Sequence, residues 1–447
     1  MGPKSPPAVT EHDLFRLELI NMVNRRHELV RLAELVDWSV FEREFGTQFA
    51  STTGRPALPA RLVSGLLYLK HTFALSDEEV VARWVENPYW QHFCGERYFQ
   101  HELPCDASSL VRWRQRIGEA GVEWLLTQTI EAAKRSGVVK RESVSTIVLD
   151  TTVQPKAIAH PTDSRLLNRA REQLVEAAQE CGIGLRQSYV RVGKAAEHRA
   201  GRYAHARQYR RMRGEIRRLR TWLGRVIRDV QRKAPEDMPP TLSDRLAVAR
   251  RLHAQQRDSK NKLYALHAPE VECIAKGKAR TPYEFGVKVS VAVTAREGIV
   301  VGMRSMPGNP YDGHTVDSAL EQVRILTDTT PSIVLADRGY KGATPACGAR
   351  LILSHTRKLP AKLKRLLKRR QVVEPMIGHM KTDGLLARNW LKGEIGDALH
   401  AVLCGAGHNL RMILAYLRVL FVRLILWLVR NDIGNSPNAL RLAIVTN

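Results

Sequence analysis

The chain has 447 residues, 44% of them hydrophobic, which is enough for two or three domains with substantial cores. Its 70 Lys and Arg against 45 Asp and Glu give a formal charge of +25. That balance argues against a cationic partner and points to a polyanion, either nucleic acid or an anionic membrane surface. The six cysteines, Cys94, Cys105, Cys181, Cys273, Cys347 and Cys404, form no C-x2-C pair. A zinc site is therefore not expected, and free thiols in a reducing cytoplasm are. No apolar leader opens the sequence, so secretion is not expected either.

Residues 1 to about 140 read as helical. Leu14, Leu17, Ile20 and Val23 recur at intervals of three and suit one helix face. Pro59 precedes the apolar stretch from Leu62 to Phe73. Ser76-Asp77-Glu78-Glu79 has the S-x-x-E form of a capping box and opens a helix to about Val85. Ser108 or Ser109 is the expected cap of the next helix, in which Arg112, Arg114 and Arg116 surround an apolar seam of Leu110, Trp113 and Ile117. That helix is a candidate for lying on DNA. The alternative is a packed helix with a solvated basic face.

From about Val144 the pattern turns to strands. The run from Val144 to Leu149 ends at Asp150 and is followed by a long helical insert. Residues 201–230 of the insert hold ten Arg against Glu215 and Asp229. Arg210, Arg213, Arg217 and Arg220 make a basic stripe suited to a phosphate backbone, or else a solvated face without a ligand. Strands resume over Glu284–Val293 and Ile299–Met306, around a turn at Arg296-Glu297-Gly298. A helix from about Thr315 to Leu326 leads to a strand, Ser332–Ala336, that ends at Asp337. One more strand, Arg350–Ser354, precedes a basic helical segment from Lys362 to Lys381 that carries Glu374. Trp390 beyond it is a core residue or a stacking platform for a displaced base. The remainder is helical, with a tail from Ile433. Met412–Val429 is long and apolar, but Arg418 and Arg423 interrupt it, so a buried or self-associating helix is expected rather than a membrane span.

Asp150, Asp337 and Glu374 carry the chemistry in this reading. Two Asp at strand ends and a Glu on a later helix can converge on one point if the strands are adjacent. Converging carboxylates repel one another unless a divalent cation neutralises them. Oxygen-only ligands suit Mg²⁺ or Mn²⁺ and phosphoryl transfer.

The spacing Arg370, Glu374, Lys381 gives R-x3-E-x6-K. It resembles the third motif, Y-x2-R-x3-E-x6-K, of bacterial insertion-sequence transposases of the DDE class. Leu367 stands at the Tyr position, so a phosphate contact through that hydroxyl is absent. Asp337-Arg338-Gly339-Tyr340-Lys341-Gly342 resembles the second-Asp motif and Val148-Leu149-Asp150-Thr151-Thr152 the first. Tyr283-Glu284-Phe285-Gly286-Val287-Lys288 and Gly308-Asn309-Pro310-Tyr311-Asp312-Gly313-His314-Thr315 add to the likeness, which runs from about Leu14 to Leu420.

The resemblance implies an α/β catalytic core with a ribonuclease H-like mixed sheet. A helical N-terminal DNA-binding domain occupies residues 1–140, the catalytic domain 141–395 with its helical basic insert at about 157–275, and a C-terminal helical segment and tail 396–447. It implies metal-dependent strand cleavage at element ends and strand transfer into target DNA. Asp150, Asp337 and Glu374 would hold Mg²⁺ or Mn²⁺, two per site. Arg370 and Lys381 would hold DNA phosphates, with Arg112, Arg114, Arg116, Arg210, Arg213, Arg217 and Arg220 as further DNA contacts. The expected partner is double-stranded DNA, both terminal inverted repeats and target. The expected assembly is a homo-oligomer, most simply a dimer, in the bacterial cytoplasm at the nucleoid. A metal-dependent nuclease without strand transfer and an inactive DNA-binding descendant stay open as alternatives.

Overall fold

A computed structural model describes residues 16–46, 57–275, 277, 282–356 and 359–434. The chain divides into two compact units. The first comprises Met1–Gln154, Lys288–Leu391 and Ile395–Asn447, and the second Pro155–Val287 and Lys392–Glu394.

The first unit opens with helices α1 (Leu19–Met22), α2 (Glu28–Leu35), α3 (Ser39–Gly46), α4 (Ala60–Thr72), α5 (Asp77–Glu86), α6 (Pro88–Phe93) and α7 (Ala107–Arg135). Their core gathers Phe41, Phe45, Leu66, Tyr68, Trp84 and Leu125, all fully buried. The capping box forms as expected: Ser76 Oγ accepts from the Glu79 amide at 3.0 Å, and Glu79 Oε2 accepts from the Ser76 amide at 2.9 Å. Two expectations need correction. The three-residue period near the start does not make a long helix, because Leu19 donates to Arg97 O and Glu18 bridges Tyr98, and this extended pairing overrides the period. Leu17 is exposed, and Leu14 lies outside the described residues. The cap of α7 is Asp106, not a serine: its carboxylate accepts from the Ser108 amide at 2.8 Å. Gly118, at φ +62°, kinks that helix.

A 3₁₀ turn, Arg141–Ser145, leads into β1 (Thr146–Pro155). The strand runs five residues past Asp150, so Asp150 is mid-strand and not at its end.

The second unit carries α8 (Asp163–Glu180), α9 (Val190–His205), α10 (Tyr209–Lys233), α11 (Pro240–Ala254) and the short strand β2 (Glu272–Ala275). The helices enclose a separate core of Leu174, Ala178, Leu219, Leu223, Val230 and Leu242. The 3.6-residue period of Leu219, Leu223, Val226 and Val230 turns one face of α10 inward and leaves most of its arginines outside. Arg210, Arg213, Arg217 and Arg220 all lie on α10, as expected of a stripe on one helix, and Arg207 adopts a left-handed φ of +56° between α9 and α10.

Beyond the insert come β3 (Tyr283–Thr294), β4 (Val300–Met306), α12 (Val316–Thr327), β5 (Ile333–Ala336) and β6 (Arg350–Leu353). Next are α13 (Ala361–Arg369), α14 (Val373–Thr382) and α15 (Gly393–Gly434). The sheet is mixed, in the order β4-β3-β1-β5-β6, with β2 pairing the first residues of β3. β1, β5 and β6 are parallel, whereas β3 and β4 form an antiparallel hairpin. Gly298, at φ +81°, closes that hairpin by donating to Thr294 O, a conformation that favours glycine. The basic segment around Glu374 is also interrupted: a 3₁₀ turn, Arg370–Val372, separates α13 from α14. Among the described residues no helix is long and apolar enough to cross a membrane.

Candidate active site and nucleic-acid interface

The parallel pairing of β1 with β5 matches Thr146 to Ile333, Ile147 to Val334 and Val148 to Leu335. Carried two residues on, the same register sets Asp150 level with Asp337, with both side chains on one face of the sheet. Asp337 follows the last residue of β5 and caps a 3₁₀ turn: its Oδ1 accepts from the Gly339 amide at 2.7 Å. Asp150 is half-buried, and its Oδ1 accepts from the Thr151 amide at 2.8 Å. Burial pushes the Asp150 carboxyl up to about 6. The Thr151 amide opposes that rise, the Asp337 carboxylate adds to it, Arg370 opposes it and Glu374 adds to it. All three carboxylates therefore share one electrostatic neighbourhood.

A fourth carboxylate belongs to the same cluster. Asp312 Oδ1 accepts from Thr151 Oγ1 at 3.0 Å and from Lys288 Nζ at 3.0 Å. The same Lys288 ammonium donates to Pro310 O at 2.6 Å, which fixes the loop carrying Asp312. A Cβ on Gly339 would lie 2.9 Å from both Asp312 Oδ2 and Asp337 Oδ1, so only glycine allows this approach. Tyr340 is fully buried, and its hydroxyl is held far above the ordinary tyrosine range by burial, then by Asp150, Asp312 and Asp337. Asp312 and Lys288 were legible only as members of sequence motifs. Their partnership required the fold.

Glu374 sits in the first turn of α14, exposed, with its Oε1 3.9 Å from Arg370 Nη2. Among the described residues no three His, Cys, Asp or Glu side chains converge tightly enough to enclose a metal ion. The donor set itself fits a hard divalent cation: it is all oxygen, and burial together with the neighbouring carboxylates disfavours the ionised form of Asp150. Lys381 is half-buried near the end of α14.

The arginines expected on DNA divide. Arg112 and Arg116 are exposed on α7 above the buried seam of Leu110, Trp113 and Ile117. Arg114 is a correction. It is buried and grips Asp77 with two hydrogen bonds of 2.7 and 2.6 Å, so it cannot face DNA. Lys70 reaches the same carboxylate at 2.9 Å. On α10, Arg210, Arg213 and Arg217 are exposed, whereas Arg220 is turned to another task. Its Nη1 donates to His253 O at 3.0 Å and Gln255 O at 2.8 Å, satisfying carbonyls at the end of α11. Trp390 is not a core residue: it is 66% exposed, with the Arg388 guanidinium 4.2 Å from its ring centroid.

Carboxylates level on neighbouring strands of a mixed sheet, on a chain of formal charge +25, suit a protein with a polyanionic partner. Residues 17–116 match a transposase domain family (DUF772), and residues 254–346 match the transposase DDE domain. An uncharacterized protein, ORF8 in the nfe locus of Rhizobium meliloti, is 55% identical over 205 residues, covering 46% of this chain and 99% of that one. No solved structure matches. The chain belongs to the bacterial insertion-sequence transposases that carry a DDE domain. The DDE-domain match includes Lys288, Asp312 and Asp337, while Asp150 and Glu374 lie outside its bounds.

Proposed function

We propose that this transposase cleaves DNA at the ends of its element and transfers the freed 3′ ends into target DNA, using Asp150, Asp337 and Glu374. The observation that carries the proposal is the level placement of Asp150 and Asp337 on parallel neighbours, with the Asp150 carboxyl raised to about 6. The strand order supports a ribonuclease H-like core within residues 141–395.

A pair of Mg²⁺ or Mn²⁺ ions held by the three carboxylates would activate the attacking oxygen and stabilise the leaving one. The protein's own groups prepare that site. The Thr151 and Gly339 amides aim one oxygen each of Asp150 and Asp337 and leave the other oxygen for a ligand. Lys288 and Thr151 hold Asp312 behind them. Arg370 supplies positive charge beside Asp150 and Glu374, where a scissile phosphate would bring further negative charge. Arg112, Arg116, Arg210, Arg213, Arg217 and Lys381 are the proposed phosphate contacts. Two element ends must be held at once, which supports a dimer as the working form.

The test is an oligonucleotide assay with the repeats that flank the coding region. The wild-type protein should nick end-containing duplexes and join them to plasmid in Mg²⁺. Asp150→Asn, Asp337→Asn and Glu374→Gln should each abolish both steps while retaining duplex binding. Cleavage without joining would leave a nuclease. Undiminished cleavage by any of the three variants would remove that residue from the chemistry.

A further inference from the structure

We propose that the second unit carries a preorganised docking site for successive phosphates of a DNA backbone, in the cavity lined by Arg186, Gln187, Tyr189, Arg225, Arg228 and Arg232. The identity of the ligand rests on the transposase reading above. The cavity measures about 640 Å³ and shares no lining residue with the stripe of Arg210, Arg213 and Arg217, which lies nearer the start of α10.

One wall comes from α10. Arg225, Arg228 and Arg232 recur at three and four residues, so they share one face and extend over about 10 Å of helix. That length exceeds a single phosphate and suits a run of them. The other wall is the loop between α8 and α9, and it is tied down at three points. Lys233 Nζ donates to Gly184 O, the Arg186 amide donates to Asp229 Oδ2 at 2.8 Å, and the buried Arg171 donates to Ser188 O at 2.7 Å. Tyr189 ends the loop at a left-handed φ of +54°. It stacks on Trp222 at 5.7 Å between centroids, and its hydroxyl accepts from Arg225 at 3.3 Å.

The one acid in the lining does not cancel this charge. Asp229 is 5% exposed, and its oxygens are committed to the Arg186 amide, Arg232 and Lys233. It fixes the site from beneath. Arg186, Arg225 and Arg228 are exposed and make no ion pair among the described residues. Three guanidinium groups without acids, on a loop and a helix already held in place, bind an anion without the further cost of ordering the backbone that carries them. Arginine suits phosphate through its bidentate fork.

The experiment uses the full chain with Arg186, Arg225 and Arg228 all changed to Gln, and a second variant with all three changed to Lys. Binding to an element-end duplex and to a random duplex is followed across a salt series, with thermal unfolding as the control for folding. The Gln variant should lower the slope of log affinity against log salt by about 2.7, roughly 0.9 per lost contact, equally on both duplexes. The effect of raising salt from 50 to 200 mM should shrink by about 40-fold. The Lys variant should keep most of the slope. An unchanged slope in a folded Gln variant overturns the proposal, as does pyrophosphate binding that the variant loses while its duplex slope stays intact, which would mark a small-anion site. A wild-type protein that binds no duplex would instead overturn the proposed cleavage and joining of DNA.

Discussion

Asp150 and Asp337 stand level because one offset of 187 residues pairs Thr146–Val148 of β1 with Ile333–Leu335 of β5, and the same offset carried two residues on joins the two acids. Burial first, and the Asp337 carboxylate after it, push the Asp150 carboxyl up to about 6. The strain resembles that of other sites built to receive a cation.

The first prediction follows from that strain. The folded-state pKa of Asp150, about 6, lies above its unfolded value near 3.8. The folded protein therefore binds the extra proton between those values. The stabilising effect of the protonated group is complete below about pH 4 and is lost as pH rises through about 6. Asp150→Asn keeps the shape and removes the charge. It should raise stability at pH 7–8 by about 1–2 kcal/mol without divalent metal, and the difference should vanish below pH 4. Mg²⁺ should stabilise the wild type and not the variant. Thermal unfolding from pH 4 to 8, with and without Mg²⁺, measures all three effects. A variant less stable than wild type at pH 8 would mean that Asp150 is a structural carboxylate.

Parts of the fold were legible in sequence because they are local. The strand ending at Ala336 and the Ser76 capping box each depend on a few neighbouring residues, and each forms as read. What failed depended on distant partners. Arg112, Arg114 and Arg116 look alike in sequence, yet Asp77, 37 residues away, draws Arg114 into the core. Arg220 fits the period of the stripe but meets the carbonyls of α11, more than 30 residues on. Leu17 fits a helical period that pairing to Arg97 and Tyr98 overrides. The alliance of Lys288, Asp312 and Thr151 joins three separate motifs and has no local signature.

Gly339 should not tolerate a side chain. A methyl group there would sit 2.9 Å from Asp312 Oδ2 and from Asp337 Oδ1, forcing apart two carboxylates that the Gly339 amide and Lys288 otherwise position. Gly339→Ala should cost about 1–3 kcal/mol of stability, as overpacking does. It should also lower cleavage at least tenfold while leaving duplex affinity unchanged. Full cleavage by a folded Gly339→Ala protein would show that the carboxylates can give way without consequence.

Arg114 should matter to folding and not to DNA. Its guanidinium is buried against Asp77, with Lys70 as the other cation. Asp77→Asn leaves two cations without their acid in the interior and should cost about 3–5 kcal/mol, read as a lower denaturant midpoint. Arg114→Gln removes one cation and should cost less, because Lys70 still pairs with Asp77. Below its melting temperature the Arg114→Gln protein should keep the wild-type salt slope for duplex binding. A reduced slope would return Arg114 to the DNA surface.

The stripe on α10 gives the last prediction, and it separates residues that the sequence grouped together. Arg210, Arg213 and Arg217 are exposed and regularly spaced, so their side chains are available to a phosphate backbone. Changing these three to Gln should flatten the salt dependence of duplex binding by about 2.7 in slope, on specific and random DNA alike, since backbone contacts carry no direct sequence information. Arg220→Gln should behave differently. It leaves His253 O and Gln255 O without their donor, and α11 loses a tie to α10. The expected cost is about 1–3 kcal/mol of stability, with the salt slope of the folded protein unchanged. Titrations across a salt series and unfolding curves on the same two proteins decide the matter. If Arg220→Gln alone flattens the slope, the hydrogen bonds to α11 do not hold in solution and the arginine belongs to the DNA-facing stripe after all.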